Sequence, residues 1–533
     1  MTEPLRIFRS FKANYYEDDV LKGPAAYPEE YFGELVQNGF NAVWLRGILR
    51  NLAEADPFPR IGDDVARHRD ALGQVVERAG RHGVKVLLYL NEPMCFPAGH
   101  PFWKAHPEVR GSGGDSSMDE WYDTRAFCTS EPKVKAWLRN AATGLFRALP
   151  ELGGWFLITA SEHHTHCYSH CWNAAKGGKP DCPRCAERDP SDVTAEVVSL
   201  LRDGTKAAKP DARCIAWNWS WECLEKDPQP RLISQLPKDV TVLVDWERGG
   251  WMTMPGGRQK WMDEYSLSYI GPTARFVGVR DEAKKNGLQV MAKLQVGTTH
   301  ELATVPNLPL IDNLYEKLAR GEAVGLAGIL GTWNFGNSFN WNTAAVAKFF
   351  RDPDRPGPRI FVERLAAEHF SGSDPRGVGE AVERFSSAMR NYPFSMPLVY
   401  FGPMNYALAY PLTLAPLTGK KMGRTWVMDE RGDDLSQSIS GFTIEETIRY
   451  FETLVGEWQE GVAVLEKALA GTAREVLTTD PFVAADPDLV PLDQVVANSD
   501  LLILCTPHRI YRTADLRGKP VVDVWGILDN ANV

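Results

Sequence analysis

The chain is short of basic charge. Among its 533 residues, 59 Lys and Arg stand against 69 Asp and Glu, a formal net charge of −10. Binding nucleic acid or an anionic membrane without regard to sequence needs clustered Lys and Arg, so both partners are set aside. Apolar runs long enough to cross a bilayer are also missing. The opening residues, MTEPLRIFRSFKANYYEDD, lack a basic stretch followed by an apolar one, and the expectation is a cytoplasmic protein. No glycine-rich phosphate turn follows the first apolar run, which continues instead into FKANYYEDD. That absence argues against a doubly wound dinucleotide-binding sheet.

What remains is the composition of an ordinary globular protein, 44% hydrophobic and 24% charged, with enough apolar material for a large core. The 17 Trp and 16 Tyr are its most suggestive feature. Aromatic faces stack on sugar rings, although most of these residues are expected to pack in the core. From residue 5 to about 351, short apolar runs alternate with amphipathic stretches, the pattern of repeated βα units. Eight strands are predicted, at Arg6–Phe11, Ala42–Leu45, Val84–Leu90, Trp155–Ala160, Arg213–Trp217, Val240–Asp245, Gln289–Leu294 and Leu326–Gly331. Helical patterns lie between them, at Pro28–Asn38, Val65–His82, Lys133–Leu149 and Val193–Ala208, and QNGFNAVWL, RHGVKVLLYL and KNGLQVMAKL carry glycines suited to helix ends. The expected fold is α/β: a (β/α)₈ TIM barrel over 1–351, a helical appendage over 352–470, and a small half-Rossmann-like α/β unit over 471–533.

In such a barrel the site lies past the C-terminal ends of the strands. Glu162 follows strand four in GWFLITASEHHTH, and Glu301 follows strand seven in MAKLQVGTTHELATVP. Two carboxyl groups flanking a glycosidic bond can hydrolyse it, one as acid and base and the other as nucleophile. Other strand ends offer candidate substrate contacts: Arg46, Asn91, Glu92, His163, Asn218, Trp219, Asp245, Glu247, Trp333 and Asn334. Glu222 and Glu247 rival Glu301 for the second carboxylate. A ring of acids, amides and indoles suits a carbohydrate.

This arrangement resembles the glycoside hydrolase clan that places an acid/base Glu after strand four and a nucleophile Glu after strand seven. The resemblance implies retaining hydrolysis by Glu162 and Glu301, with Ser161 standing where most of that clan has Asn. CPRCAERD, IAWNWSWE, HELATVPNLP and GTWNFG also resemble stretches of uncharacterised bacterial glycosidase-like proteins. The N-acetylhexosaminidases use adjacent Asp and Glu after strand four, which Ser161-Glu162 lacks. On that pattern Asp245 or Glu247 would be the stabilising carboxylate.

Directly after Glu162, HHTHCYSHCWNAAKGGKPDCPRCAERD brings Cys167, Cys171, Cys182 and Cys185 together in sequence. Four thiolates at such spacings can close around a structural Zn²⁺, and His163, His164, His166 and His170 are alternative ligands. The last sixty residues, in TDPFV, SDLLILCTPHRIYR and LRGKPVVDVWG, resemble the UDP-binding C-terminal domain of UDP-glucose and UDP-mannosaminuronate dehydrogenases. Neither a GxGxxG turn nor that family's glycine-flanked cysteine is present, so no NAD is expected, and Cys505 reads as a core residue of an apolar strand. Two rival functions follow: a non-catalytic carbohydrate or nucleotide-sugar binding protein, and a relative of the nucleotide-sugar dehydrogenases.

Overall fold

Eight apolar runs become eight parallel strands: β1 (Leu5–Ile7), β2 (Ala42–Gly47), β3 (Lys85–Leu90), β4 (Gly154–Ile158), β5 (Arg213–Trp217), β6 (Val240–Asp245), β7 (Gln289–Lys293) and β8 (Gly328–Leu330). Each overlaps the run predicted for it. Neighbours in sequence pair in space, and β8 pairs with β1 to close the barrel. The computed structural model describes residues 3–14, 16–116, 121–263, 266–297, 301, 307–333, 338–400, 439, 441–471, 475–483, 486–506, 508–523 and 527–528.

Successive strand residues face opposite ways, and a parallel barrel buries both faces. Ile7, Trp44, Leu87, Tyr89, Phe156, Trp217, Leu243 and Met291 fill the interior. Val43, Leu45, Val86, Leu88, Leu157, Val242 and Val290 face outward into the layer beneath the helices. The main helices after the strands are α1 (Glu29–Gln37), α2 (Val65–Arg81), α3 (Pro132–Ala148), α4 (Pro190–Ala208), α5 (Pro230–Gln235), α6 (Ala274–Lys285), α7 (Ile311–Ala323) and α8 (Trp341–Arg351). Beyond α1, α2 and α6, Gly39, Gly83 and Gly287 have φ of 81°, 70° and 74°. Only glycine takes this left-handed conformation without a Cβ penalty, which is why these turns stop the helices.

Two insertions at the mouth escape a reading by apolar period. After β3 comes a three-stranded antiparallel sheet in the order Phe96–Pro97, Trp121–Phe127, Arg110–Ser116. After β6, Gly250–Thr253 pairs with Gln259–Met262 as a hairpin. Their sequences, RGSGGDS among them, alternate too weakly to announce strands.

Beyond the barrel lie α9 (Pro358–His369), α10 (Pro375–Met389) and α11 (Ile444–Leu469). Phe385, Met389, Tyr392 and Leu454 share one apolar cluster with Leu267, Leu308 and Leu310, which belong to the loops after β6 and β7. The appended helices therefore hold two of the loops that shape the mouth. Near the C-terminus, a helix (Leu492–Asn498) and two parallel strands (Leu502–Leu504 and Val521–Asp523) share a separate small cluster with Tyr511. Cys505 lies just past the first of these strands and is exposed, not in the core. The apolar run stops at Leu504, one residue short of it. No described helix is long and apolar enough to cross a membrane.

Candidate active site

Several inward residues in the C-terminal half of the barrel are aromatic. Trp44 of β2 stacks on Trp333, just past β8, with ring centroids 5.0 Å apart. Trp217 of β5 meets Trp333 edge-on at 4.7 Å, and Tyr89 of β3 stacks on Phe156 of β4 at 5.3 Å. Trp219 continues the patch, edge-on to Trp217 at 5.4 Å and half-buried. Together these rings make an aromatic floor across the barrel.

Asp245, the last residue of β6, sits on that floor. Its Oδ1 accepts a hydrogen bond from Trp217 Nε1 at 3.0 Å. Oδ2 is buried with no hydrogen-bond partner among the described residues, with Arg275 Nη1 at 3.7 Å and Arg248 Nη1 at 3.8 Å. Lys293, the last residue of β7, is its register partner and is fully buried. Burial pushes the Asp245 carboxyl above the ordinary range, while Arg248, Arg275 and Lys293 pull it down. A buried anion with an oxygen that accepts no hydrogen bond, ringed by cations, is the kind of group that active sites hold.

Around this centre, Arg9 lies 3.8 Å above the Trp44 ring and pairs with buried Asp19 at 2.9 Å. Its Nε and Nη2 have no hydrogen-bond partner among the described residues. Arg46 Nη2 faces His163 Nδ1 at 3.2 Å, so the loop after β4 is tied to the end of β2. Asn91 donates to the Ile158 carbonyl at 3.3 Å, and its buried Oδ1 has no partner among the described residues. The amide of Asn218 bridges the Leu243 carbonyl and Arg275, each at 3.3 Å. Arg248 passes over Trp219, 5.1 Å from its centroid.

The remaining predicted acids fare differently. Glu162 is half-buried on the loop after β4. Glu92 is fully buried and accepts from the backbone N–H of Leu49 at 2.5 Å and of Met94 at 3.0 Å, so it joins two loops. Burial pushes its carboxyl up to about 7. Glu247 forms a buried ion pair with Lys317 of α7 at 2.7 Å and accepts from Gln295 N at 3.0 Å, which fastens β6 and β7 to a helix. In Glu222 burial raises the carboxyl, but Arg248 and Arg275 outweigh it and hold it low.

Glu301 lies in a cup made by the loop after β6. It accepts from Ser266 Oγ at 2.8 Å, Leu267 N at 3.0 Å and Ser268 N at 3.1 Å, and also from Ser268 Oγ. Burial lowers buried Lys260 nearby to about 8, opposed by the charge of Glu301. Lys260 donates to the carbonyl of Tyr392, which belongs to the appendage cluster. Asn334 lies outside the described residues.

The loop after β4 separates its histidines from its cysteines. His164 Nδ1 meets Thr124 Oγ1 at 2.7 Å, and His170 Nε2 meets the Ser161 carbonyl at 2.9 Å. Burial lowers His166 to about 3 and His170 to about 4. The thiols that converge are those of Cys128, Cys167, Cys182 and Cys185, all buried, with sulfurs within 4.8 Å of one another. Cys171 is not among them; its sulfur turns to Asn173 Oδ1 at 3.6 Å. The predicted set is corrected at that position, because tertiary pairing of the two loops brings Cys128 closer than the local sequence brings Cys171.

Sequence reasoning passed over Cys128, Lys293, Arg9, Arg248 and Arg275. Lys293 could have been found as a cation ending an otherwise apolar strand, VMAK. The two arginines after β6 carry no comparable signal.

No protein-family model matches the chain, and no curated protein matches it significantly. Among solved structures, it is similar to a GH138 enzyme targeting pectin rhamnogalacturonan II, at 9% identity over 89% of this chain and 55% of that one, with a TM-score of 0.49. A chitobiase of Flavobacterium johnsoniae is 13% identical over 88% of this chain and 68% of the other, with a TM-score of 0.36. A family 5 glycoside hydrolase of Prevotella bryantii is 10% identical over 65% and 95%, with a TM-score of 0.38. The chain spans about half the length of the first of these. Likenesses this distant add nothing to the barrel already evident from the strand order.

Proposed function

We propose that the chain hydrolyses glycosidic bonds at the mouth of its barrel, with a sugar ring lying against Trp219, the half-buried indole at the edge of the aromatic floor. The observation that carries this reading is Asp245. It is a buried carboxylate on an aromatic surface, with one oxygen that accepts no hydrogen bond among the described residues and three cations around it. Indoles cover the apolar face of a sugar, and Arg9, Arg46 and Asn91 offer donors and acceptors to its hydroxyls. The reading assigns Glu162, half-buried at the rim, as acid and base. Asp245 is the nucleophile of a retaining mechanism, attacking the anomeric carbon as Glu162 protonates the leaving oxygen. Glu162 then takes a proton from the water that releases the sugar. Glu301 becomes a positioning residue, since four donors already occupy its oxygens.

The test is a screen of aryl and natural glycosides with wild type and Glu162→Gln, reading the product anomer by NMR. Turnover with retained configuration, lost in the folded variant, supports the reading. Inversion would replace Asp245 as nucleophile with a carboxylate that activates water across a wider gap, about 6.5–9.5 Å. Saturable sugar binding without turnover across the whole panel would replace hydrolysis with a binding function.

A further inference from the structure

We propose that Cys128, Cys167, Cys182 and Cys185 bind one Zn²⁺ in a closed tetrahedral centre that fastens the antiparallel sheet after β3 to the loop carrying Glu162. Three remote pieces of chain supply the sulfurs. Cys128 follows the strand Trp121–Phe127, Cys167 lies in the loop after β4, and Cys182 and Cys185 flank a tight turn closed by Ala186 N donating to the Cys182 carbonyl at 2.9 Å. Cys128 Sγ stands 3.6 Å from Cys185 Sγ and 3.7 Å from Cys182 Sγ. A tetrahedron of Zn–S bonds of about 2.3 Å has an edge of roughly 3.8 Å, so these separations already match the centre. They are well beyond a disulfide bond of about 2.05 Å.

The surroundings suit thiolates. Arg184 Nε points at Cys128 Sγ from 3.3 Å, and Ser130 Oγ lies 3.4 Å from Cys185 Sγ. Four thiolates around Zn²⁺ leave a net charge of −2, which a guanidinium and a hydroxyl stabilise from outside the coordination sphere. Space is also kept for the sulfurs: a Cβ on Gly111 would lie 2.6 Å from Cys167 Sγ and 2.8 Å from the Ala126 carbonyl. Between β4 and α4 the one regular element is the single turn Ala174–Lys176, and the rest of this long loop is held by local turns and a bridge from His166 to Phe127. Four protein ligands leave no position open to water, and the role is structural. The centre is independent of the hydrolytic reading.

The experiment measures zinc by mass spectrometry of the full chain purified without added metal, in wild type, Cys128→Ser and Cys171→Ser. Thiol reactivity is read before and after a strong chelator. Wild type and Cys171→Ser should each hold one zinc per chain, with four thiols protected until the chelator strips the metal. Cys128→Ser should lose the metal. Should that variant not fold, the wild-type zinc content and thiol protection still decide. A chain that stays metal-free with reactive thiols after Zn²⁺ is added overturns the proposal. So does an intact mass two hydrogens light from a disulfide, or a Cys171→Ser variant as depleted as Cys128→Ser.

Discussion

Asp245 and Glu301 are both fully buried carboxylates near the barrel mouth, and their surroundings are opposite. Glu301 is saturated by two hydroxyls and two backbone N–H groups from a single loop. Asp245 receives one indole N–H and has cations at 3.7 Å and 3.8 Å that stop short of hydrogen bonding. A satisfied buried acid stabilises the loops around it. An unsatisfied one costs stability that folding must offset elsewhere, and such groups concentrate where chemistry occurs. On the proposed reading, the contrast separates a residue that shapes the mouth from one that works in it.

The largest effect is expected of Asp245→Asn. It keeps the shape and an acceptor for Trp217, and kcat/KM should fall by about a thousandfold or more. The same variant should melt higher than wild type at neutral pH. The folded carboxyl is raised, so its contribution to stability is present below about pH 3.9, the unfolded value, and is lost as pH rises through the folded value. The gain in melting temperature should therefore vanish in acid, which calorimetry at two pH values checks. Next in size is Lys317→Met, which leaves Glu247 buried without its cation and should lower unfolding free energy by about 3–5 kcal/mol in denaturant titrations. Glu301→Gln should cost about 1–3 kcal/mol by the same measurement, because one oxygen of its cup is replaced by a donor. The smallest effect is in the pH profile: the acid limb of kcat/KM should lie above the ordinary Asp range, and a limb at or below about 3.9 would remove Asp245 as the ionised partner.

The barrel was legible because its signal is dense. Eight apolar runs, glycines after three helices and strand ends rich in polar residues all point to one architecture, and the rim positions of Asn91, Asn218, Asp245 and Trp333 follow from counting past each run. The pairing of Glu162 with Glu301 rested on loop length after strand seven, which periodicity does not measure. In the structure the loop after β6 surrounds Glu301 with hydrogen-bond donors from Ser266, Leu267 and Ser268. Cys128 lies outside the run of cysteines that the sequence brings together, because sequence proximity counts residues whereas converging side chains count ångströms. One strand of the sheet that delivers Cys128, RGSGGDS, is built from glycines and polar residues whose pairing is decided by tertiary contacts.

The roles of the two buried acids are told apart by measuring kcat/KM for Asp245→Asn and Glu301→Gln side by side on one glycoside that the wild type cleaves, with folding verified for both. Loss of about a thousandfold or more in Asp245→Asn, against less than about tenfold in Glu301→Gln, is the predicted result. A near-normal Asp245→Asn beside an inactive but folded Glu301→Gln would contradict it and return the nucleophile to the loop after β7.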